Sequence, residues 1–274
     1  MKSHKLMELI KFLIIFVLLI TFLIPFLVTI LNTFKTTQQF VENPMSLNIN
    51  FNFDNYIKAF NDMKFANGFV NSMTITIIGV FAIVLSSSMT AYLFARFKWR
   101  INKVLFFIMI ASMTVPFQVI MIPIVTIYGK AGLLDSKLIL LFMYLGCGTP
   151  FATFTLHGFI KGIPLELEES ASIDGCSRIR IFFQIVLPLL KPVLSTVIVL
   201  DVLWIWNDYL LPSLVLQSPN LRTLPLSTYN FFSSYGVDFS PLMAGLVLTL
   251  IPVLVLYLFL QKYIIEGIAE GALK

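Results

Sequence analysis

Long apolar runs separated by short polar stretches dominate this chain. A helix needs about 20 apolar residues to cross the hydrocarbon of a bilayer. Six runs reach that length: 12–31, 69–95, 104–128, 138–157, 192–215 and 241–261. None alternates polar and apolar positions over roughly ten residues, as strands of a membrane barrel do. The pattern therefore predicts an all-α integral membrane protein with six transmembrane helices. The fifth run is the least clean, because Asp201 and Asp208 fall inside it. The first follows Lys2, Lys5 and Lys11 as the core of a signal peptide would. It is long for that role, and Asn32-Thr33-Phe34-Lys35 follows it in place of small residues at a cleavage site. It is expected to remain as a span.

The polar stretches organise the rest. The expected plan is an N-terminal tail (1–11), a first span, a loop (33–68), a core of five spans (69–261) interrupted by a polar loop (161–191), and a tail (262–274). With six spans, one side collects the N-terminus, residues 96–103, the 161–191 loop and the tail. That side holds 13 of the 19 Lys and Arg residues. Basic residues are retained in the cytoplasm, so both termini are expected there and the Asn-rich 33–68 loop outside.

Composition agrees. Apolar residues make up 58% of the chain and charged ones 12%, against about 45–50% and 25% in soluble domains. A soluble, disordered or disulfide-framework protein is excluded. The net charge of +5 reads as membrane orientation, with no nucleic-acid partner. Cys147 and Cys176 are too few to hold a metal and are expected in different compartments, so neither a metal site nor a disulfide is predicted.

The 161–191 loop is too polar to span and too patterned to be a linker. Pro164 suits a first helical turn, and Glu166, Glu168 and Glu169 follow where the helix dipole favours anions. Gly175 is placed to end that helix. Ser177 can cap a second one, which carries Arg178 and Arg180 beside Ile181, Phe182, Phe183, Ile185, Val186 and Leu187. Pro188 and Pro192 mark the return to the membrane. Such a helix–glycine–helix element is either a knob that docks on a partner or an interfacial helix lying on lipid; its three glutamates turn it away from anionic lipid.

The run Glu169-Ser-Ala-Ser-Ile-Asp-Gly175, nine further residues, then Ile185-Val-Leu-Pro188 resembles the EAA loop of ABC importer permeases, E-A-A-x3-G-x9-I-x-L-P. It departs at Ser170, where that family usually has alanine. Asn71-Ser72, Trp206-Asn-Asp208-Tyr209, and the C-terminal Gln261 to Gly267 with Gly271-Ala272 are similar to the carbohydrate branch, in particular the shorter, six-span subunit of maltose-type permease pairs. The resemblance implies an ABC transmembrane type-1 fold with a cytoplasmic coupling helix in a bacterial plasma membrane. It implies a second related permease as heterodimer partner, an ATPase dimer that carries the ATP and Mg²⁺, an extracytoplasmic solute-binding protein, and a sugar or oligosaccharide as cargo. It assigns ATPase docking to Glu169, Ser170, Ala171, Asp174, Gly175, Ile185, Leu187 and Pro188.

Asp201 and Asp208 are costly inside a span, and such residues are candidate functional sites by default. Positions 201, 204, 205 and 208 share a helical face, which sets Trp204 between the carboxylates with Asn207 on the flank. Carboxylates accept hydrogen bonds from sugar hydroxyls and indoles stack on sugar rings, so a substrate pathway is one reading. Structural hydrogen bonds to neighbouring helices are the other. Pro116 and Pro123, and Gly146, Gly148 and Pro150, are expected to weaken the third and fourth spans, with Gln118 available to line a path. His157, at a span end, reads as a solvated or capping residue.

No G-x-x-x-x-G-K-[ST] phosphate loop, H-E-x-x-H or G-x-S-x-G pattern occurs. The chain is expected to bind no cofactor and to catalyse nothing itself. An ion-coupled transporter using the two aspartates is the alternative, though such proteins usually carry internal repeats and none is evident.

Overall fold

The computed structural model describes residues 2–47, 51–233 and 236–272, with 2–4, 6, 233 and those from 263 onward by backbone only. Its elements are α1 (Lys2–Asn32), α2 (Thr37–Glu42), α3 (Asp54–Asp62), α4 (Phe65–Arg96), α5 (Arg100–Ser112), α6 (Phe117–Lys130), α7 (Lys137–Lys161), α8 (Glu166–Ile173), α9 (Arg178–Ile181), a π turn (Phe182–Val186), α10 (Leu187–Leu189), α11 (Lys191–Asn207), α12 (Leu210–Val215), α13 (Leu224–Ser227) and α14 (Phe239–Ala272). A two-stranded antiparallel ribbon, β1 (Phe232–Ser233) and β2 (Gly236–Val237), precedes α14. Among the described residues, α1, α4, α7 and α14 are each long and apolar enough to cross a membrane. Two bent helix pairs raise the number to six if each counts as one span.

The first pair lies in the run expected to be weakened by its prolines, and the second bends at Leu190, before the fifth run begins. The run 104–128 is broken: α5 stops at Ser112, α6 starts at Phe117, and the two axes differ by 101°. The cause is local. Pro116 has no N–H to give, and the residue before a proline is pushed out of the helical region. Pro116 adopts φ −61°, ψ 137° and becomes the N-cap of α6. Pro123 and Pro150, by contrast, sit inside continuous helices. The run 192–215 ends its first helix at Asn207, because Asp208 takes an extended backbone (φ −70°, ψ 127°); α12 then begins at Leu210. Beyond Lys262, the expected cytoplasmic tail (262–274) falls outside the residues described with side chains.

The chain divides into two compact units. One comprises the chain up to Ala66 with Ser227–Pro252. Its α1 exposes apolar side chains all around, from Met7 to Ile30, as a helix surrounded by lipid does. After α1 the chain turns back. Asn55 Nδ2 donates to the carbonyls of Thr33 (2.7 Å) and Lys35 (2.8 Å), and Lys35 Nζ donates to that of Pro44 (2.9 Å). A capping box between Thr36 and Gln39 starts α2. Thr37 Oγ1 donates to Asp238 (2.6 Å), which also pairs with Lys58. Gly245 lets Met63 and Phe231 close in: a Cβ there would lie 2.7 Å from Met63 Sδ.

The other unit comprises Asn67–Leu226 and the chain from Val253. Its core lies between α4, α7 and α11, with Ile83, Tyr144, Leu156 and Val197 fully enclosed. Helices approach closely at Gly148, where a Cβ would stand 2.6 Å from Ile83 Cδ1 and 3.2 Å from the Trp204 ring. The loop before α13 is pinned by the Asn71-Ser72 pair. Asn71 Nδ2 donates to the carbonyls of Asn220 and Arg222 (both 2.9 Å), and Ser72 Oγ accepts from Leu224 N–H (2.8 Å). Asp135 accepts from the backbone N–H groups of Gln217 and Ser218 (2.8 Å each) and from the Ser218 hydroxyl. These bonds, led by the Ser218 hydroxyl, hold its carboxyl below the ordinary range.

Candidate functional site: a helix–glycine–helix element and a cavity

The element at 166–189 has the form its sequence predicts. Glu166, Glu168 and Glu169 occupy the first turn of α8. The helix ends through a pair of backbone bonds: Gly175 N–H donates to Ser172 O (3.1 Å) and Cys176 N–H to Ala171 O (3.0 Å). This is a Schellman closure, which needs a left-handed residue at the position of Gly175; its φ is +81°. Ser177 then caps α9 by accepting from Arg180 N–H. The helical segment Arg178–Leu189 meets α11 at a 78° bend at Leu190.

What anchors this element lies outside the EAA pattern. Glu168 is buried, and its carboxylate accepts from Arg96 Nε (2.6 Å) and from the Tyr92 hydroxyl (2.8 Å). Arg96 also donates to the Ile163 carbonyl (2.9 Å). The Arg96 and Glu168 side chains are only 12% and 8% exposed. A charge-assisted network at that burial ties α8 to the end of α4. Arg178 lies over the Phe97 ring at 4.8 Å, and Phe182 packs against Tyr92 with ring centroids 5.3 Å apart.

The next carboxylate has the opposite setting. Glu169, Ser170, Asp174, Gly175 and Pro188 are exposed, Ile185 and Leu187 are half-buried, and Ala171 is buried against the core. Beside them, Ile173 and Ile179 flank the glycine turn with 86% and 73% of their surface open. Two large apolar side chains at a polar helix turn suit a partner surface better than water. The sequence reading missed Ile173, Ile179 and the Glu168 anchor. Burial of one glutamate and exposure of its neighbour follow from helical phase against α4, which a single sequence does not display.

The second feature is a cavity of about 470 Å³. The break between α5 and α6 contributes Met113 and Phe117, α7 contributes Gly146 and Cys147, and Trp204 and Asp208 close it. Tyr144 stands behind: its hydroxyl donates to Asp208 Oδ2 (2.9 Å), and its ring meets Trp204 edge-on at 5.4 Å. Asp208 Oδ1 accepts from Leu210 N–H (2.9 Å), capping the turn into α12.

Only part of the expected polar face meets this cavity. Trp204, 40% exposed, and Asp208 line it. Asp201 is buried elsewhere with Oδ2 unbonded. Asn207 Nδ2 donates back to Leu203 O (2.7 Å), and Gln118 is exposed near the start of α6, away from the lining. The shared face expected from 201 to 208 is interrupted because the helix ends at Asn207. His157 is corrected from a solvated residue to a buried one, its ring 4.2 Å from Phe106.

This architecture has relatives. A chain of a bacterial ABC transporter involved in the import of the acidic polysaccharide alginate superposes with a TM-score of 0.79, covering 96% of this chain and 98% of that one. At 20% identity that likeness speaks to the fold. The "Probable starch degradation products transport system permease protein AmyC" of Thermoanaerobacterium thermosulfurigenes is 42% identical over 243 residues, 89% of this chain and 88% of that protein. The multiple sugar-binding transport system permease protein MsmG of Streptococcus mutans is 34% identical over 277 residues, 100% of this chain and 99% of that protein. Residues 82–270 match the family described as binding-protein-dependent transport system inner membrane component, and this span of well over half its length, together with those relatives, makes the chain a member of that family.

Proposed function

We propose that this chain is the six-span permease subunit of an ATP-driven importer for sugars or oligosaccharides, with both termini in the cytoplasm of a bacterial cell. It pairs with a second, related permease. An ATPase dimer, which holds the ATP and Mg²⁺, docks on the helix–glycine–helix element, and an extracytoplasmic binding protein delivers the solute. The observation that carries this reading is the Glu168–Arg96–Tyr92 anchor. It fixes α8 to α4 while leaving Glu169, Ser170, Asp174, Ile173 and Ile179 facing outward.

Motion would travel by two routes. A push on α8 acts on the end of α4 through Glu168. A push on α9 acts on α11 through the bend at Leu190, and α11 carries Trp204, with Asp208 just beyond it, at the cavity. There the half-exposed indole offers a stacking face for a sugar ring, and the carboxylate, already oriented by Tyr144, offers an acceptor for hydroxyls. Relatives named for starch degradation products and for multiple sugars support a carbohydrate solute.

The test is a pull-down from native membranes with the chain tagged, repeated with residues 166–178 scrambled. The expected result is an ATPase and a second permease with the intact chain and loss of the ATPase with the scrambled one. Uptake of a sugar that persists under an uncoupler while ATP is held constant completes the case. Uptake that collapses under the uncoupler alone would replace it with ion coupling.

A further inference from the structure

A second cavity, of about 400 Å³, lies where α4 passes to α5. Lys98, Arg100 and Lys103 line it from the turn and the start of α5, and Lys161 joins them from the end of α7. None of the four has a hydrogen-bond acceptor or an ion-pair partner among the described residues. The lining holds no acidic residue. Arg96, by contrast, is engaged with Glu168.

Two features make this more than a run of surface lysines. The 13-residue α5 begins here with no side-chain cap at Trp99, so its first N–H groups and the positive end of its dipole add to the four cations. The turn is also held in place: Asn102 is buried, and its Nδ2 donates to the Phe97 carbonyl at 2.8 Å. The walls are apolar, supplied by Phe94, Phe106 and Phe107. They continue into the open apolar face of α5, where Ile101, Val104 and Ile108 are exposed in a chain that belongs to a membrane family.

We propose that this cavity binds an anionic phospholipid, the four cations and the α5 N-terminus taking its headgroup phosphate and α5 taking its acyl chains. A zwitterionic headgroup would bring its own amine among four cations, so the site selects for net negative charge. The inference rests on the membrane setting alone and is independent of the solute and of ATPase docking.

The test uses the full chain with its bound subunits, reconstituted in phosphatidylcholine bilayers. Trp99 lines the cavity, and its emission is isolated by difference against Trp99→Phe. Brominated phosphatidylglycerol is expected to quench it at about tenfold lower mole fraction than brominated phosphatidylcholine, with each cation contributing up to roughly fivefold. The variant K98Q/R100Q/K103Q should erase that preference and K98R/R100K/K103R should keep it. Lys161→Gln, on a different helix, should weaken it even if the triple variant fails to assemble. Equal quenching by the two lipids overturns the proposal, as does a preference that survives the glutamine variants. Erasure by soluble glycerol phosphate would make this a free-anion site. Release of a bound subunit by K98Q/R100Q/K103Q, with lipid preference intact, would assign the cations to an acidic protein surface.

Discussion

Two polar ties in this molecule use the same chemistry in different settings. In one unit, Arg96 and Glu168 are 12% and 8% exposed. In the other, Lys58 and Asp238 are 53% and 34% exposed. The first pair is shielded from water and completed by Tyr92 and the Ile163 carbonyl. Removing one partner leaves a buried charge unmatched, which costs about 3–5 kcal/mol. The second pair competes with solvent throughout, and such pairs contribute about 0–1 kcal/mol. Burial, more than distance, decides which tie is the stronger. The buried tie holds α8 to α4, and the exposed one joins α3 to the residue before α14.

The comparison can be broken most directly at Glu168. Glu168→Ala should destabilise the purified chain by about 3–5 kcal/mol, read as a large fall in thermal midpoint in detergent. The double change R96M/E168L, which removes both charges and keeps the volume, should recover most of that loss. If it restores stability but not ATPase-coupled uptake, the pair serves coupling beyond holding the fold.

Ile173 sharpens the contrast from the outward side. Because it is 86% exposed, Ile173→Asp should leave the thermal midpoint unchanged. Association with the ATPase should weaken about 10–30-fold, the scale of a buried apolar anchor at an interface. Equal binding by both forms would remove the apolar pair at the turn from the docking surface.

Gly175 comes next. Nothing stands within 4 Å of a Cβ built there, and its φ is +81°. The cost of Gly175→Val is therefore backbone strain alone, about 1–2 kcal/mol, while Gly175→Asn should be tolerated because asparagine enters that region more readily. Circular dichroism melts and ATP-driven uptake would separate the two. Valine behaving like asparagine would show that the closure of α8 has another origin.

The smallest effect is expected at Asp238→Asn, under about 1 kcal/mol and screened by salt. Its pH dependence has a definite sign. Half-burial pushes the Asp238 carboxyl up, but the hydrogen bonds from Lys58 and Thr37 outweigh it and hold the group below 3.8. That stabilisation is present above 3.8 and fades as pH falls through the lowered value. The hydrogen bond to Asp238 raises Lys58 above 10.5, against partial desolvation. Its share is present below 10.5 and fades as pH rises through the raised value. A flat stability profile between those limits, with a shallow loss at each end that Asp238→Asn abolishes, is the expected result. A loss near neutral pH would assign the pair a different environment.

Much of this was written in the chain order. Apolar runs of membrane length follow from the cost of unpaired backbone groups in lipid, so the pattern of such runs foretold the long apolar helices α1, α4, α7 and α14. The Gly175 closure and the Ser177 cap depend on neighbours within six positions and were equally legible. What the sequence left open required distant groups to meet. The break at 113–116 was flagged by Pro116, but Pro123 and Pro150 carry the same chemical mark inside unbroken helices. The proline itself does not tell an interrupted helix from a continuous one. Asp201 and Asp208 looked equivalent at seven residues' separation, yet only Asp208, released by the end of α11, reaches the cavity and Tyr144. Glu168 and Glu169 are adjacent and identical in type, and helical phase against α4 turns one inward to Arg96 and the other to solvent. Local propensity and hydropathy are properties of short segments. The pairing of a buried charge is a property of three-dimensional packing, and it is the packing that decided which carboxylate anchors this protein.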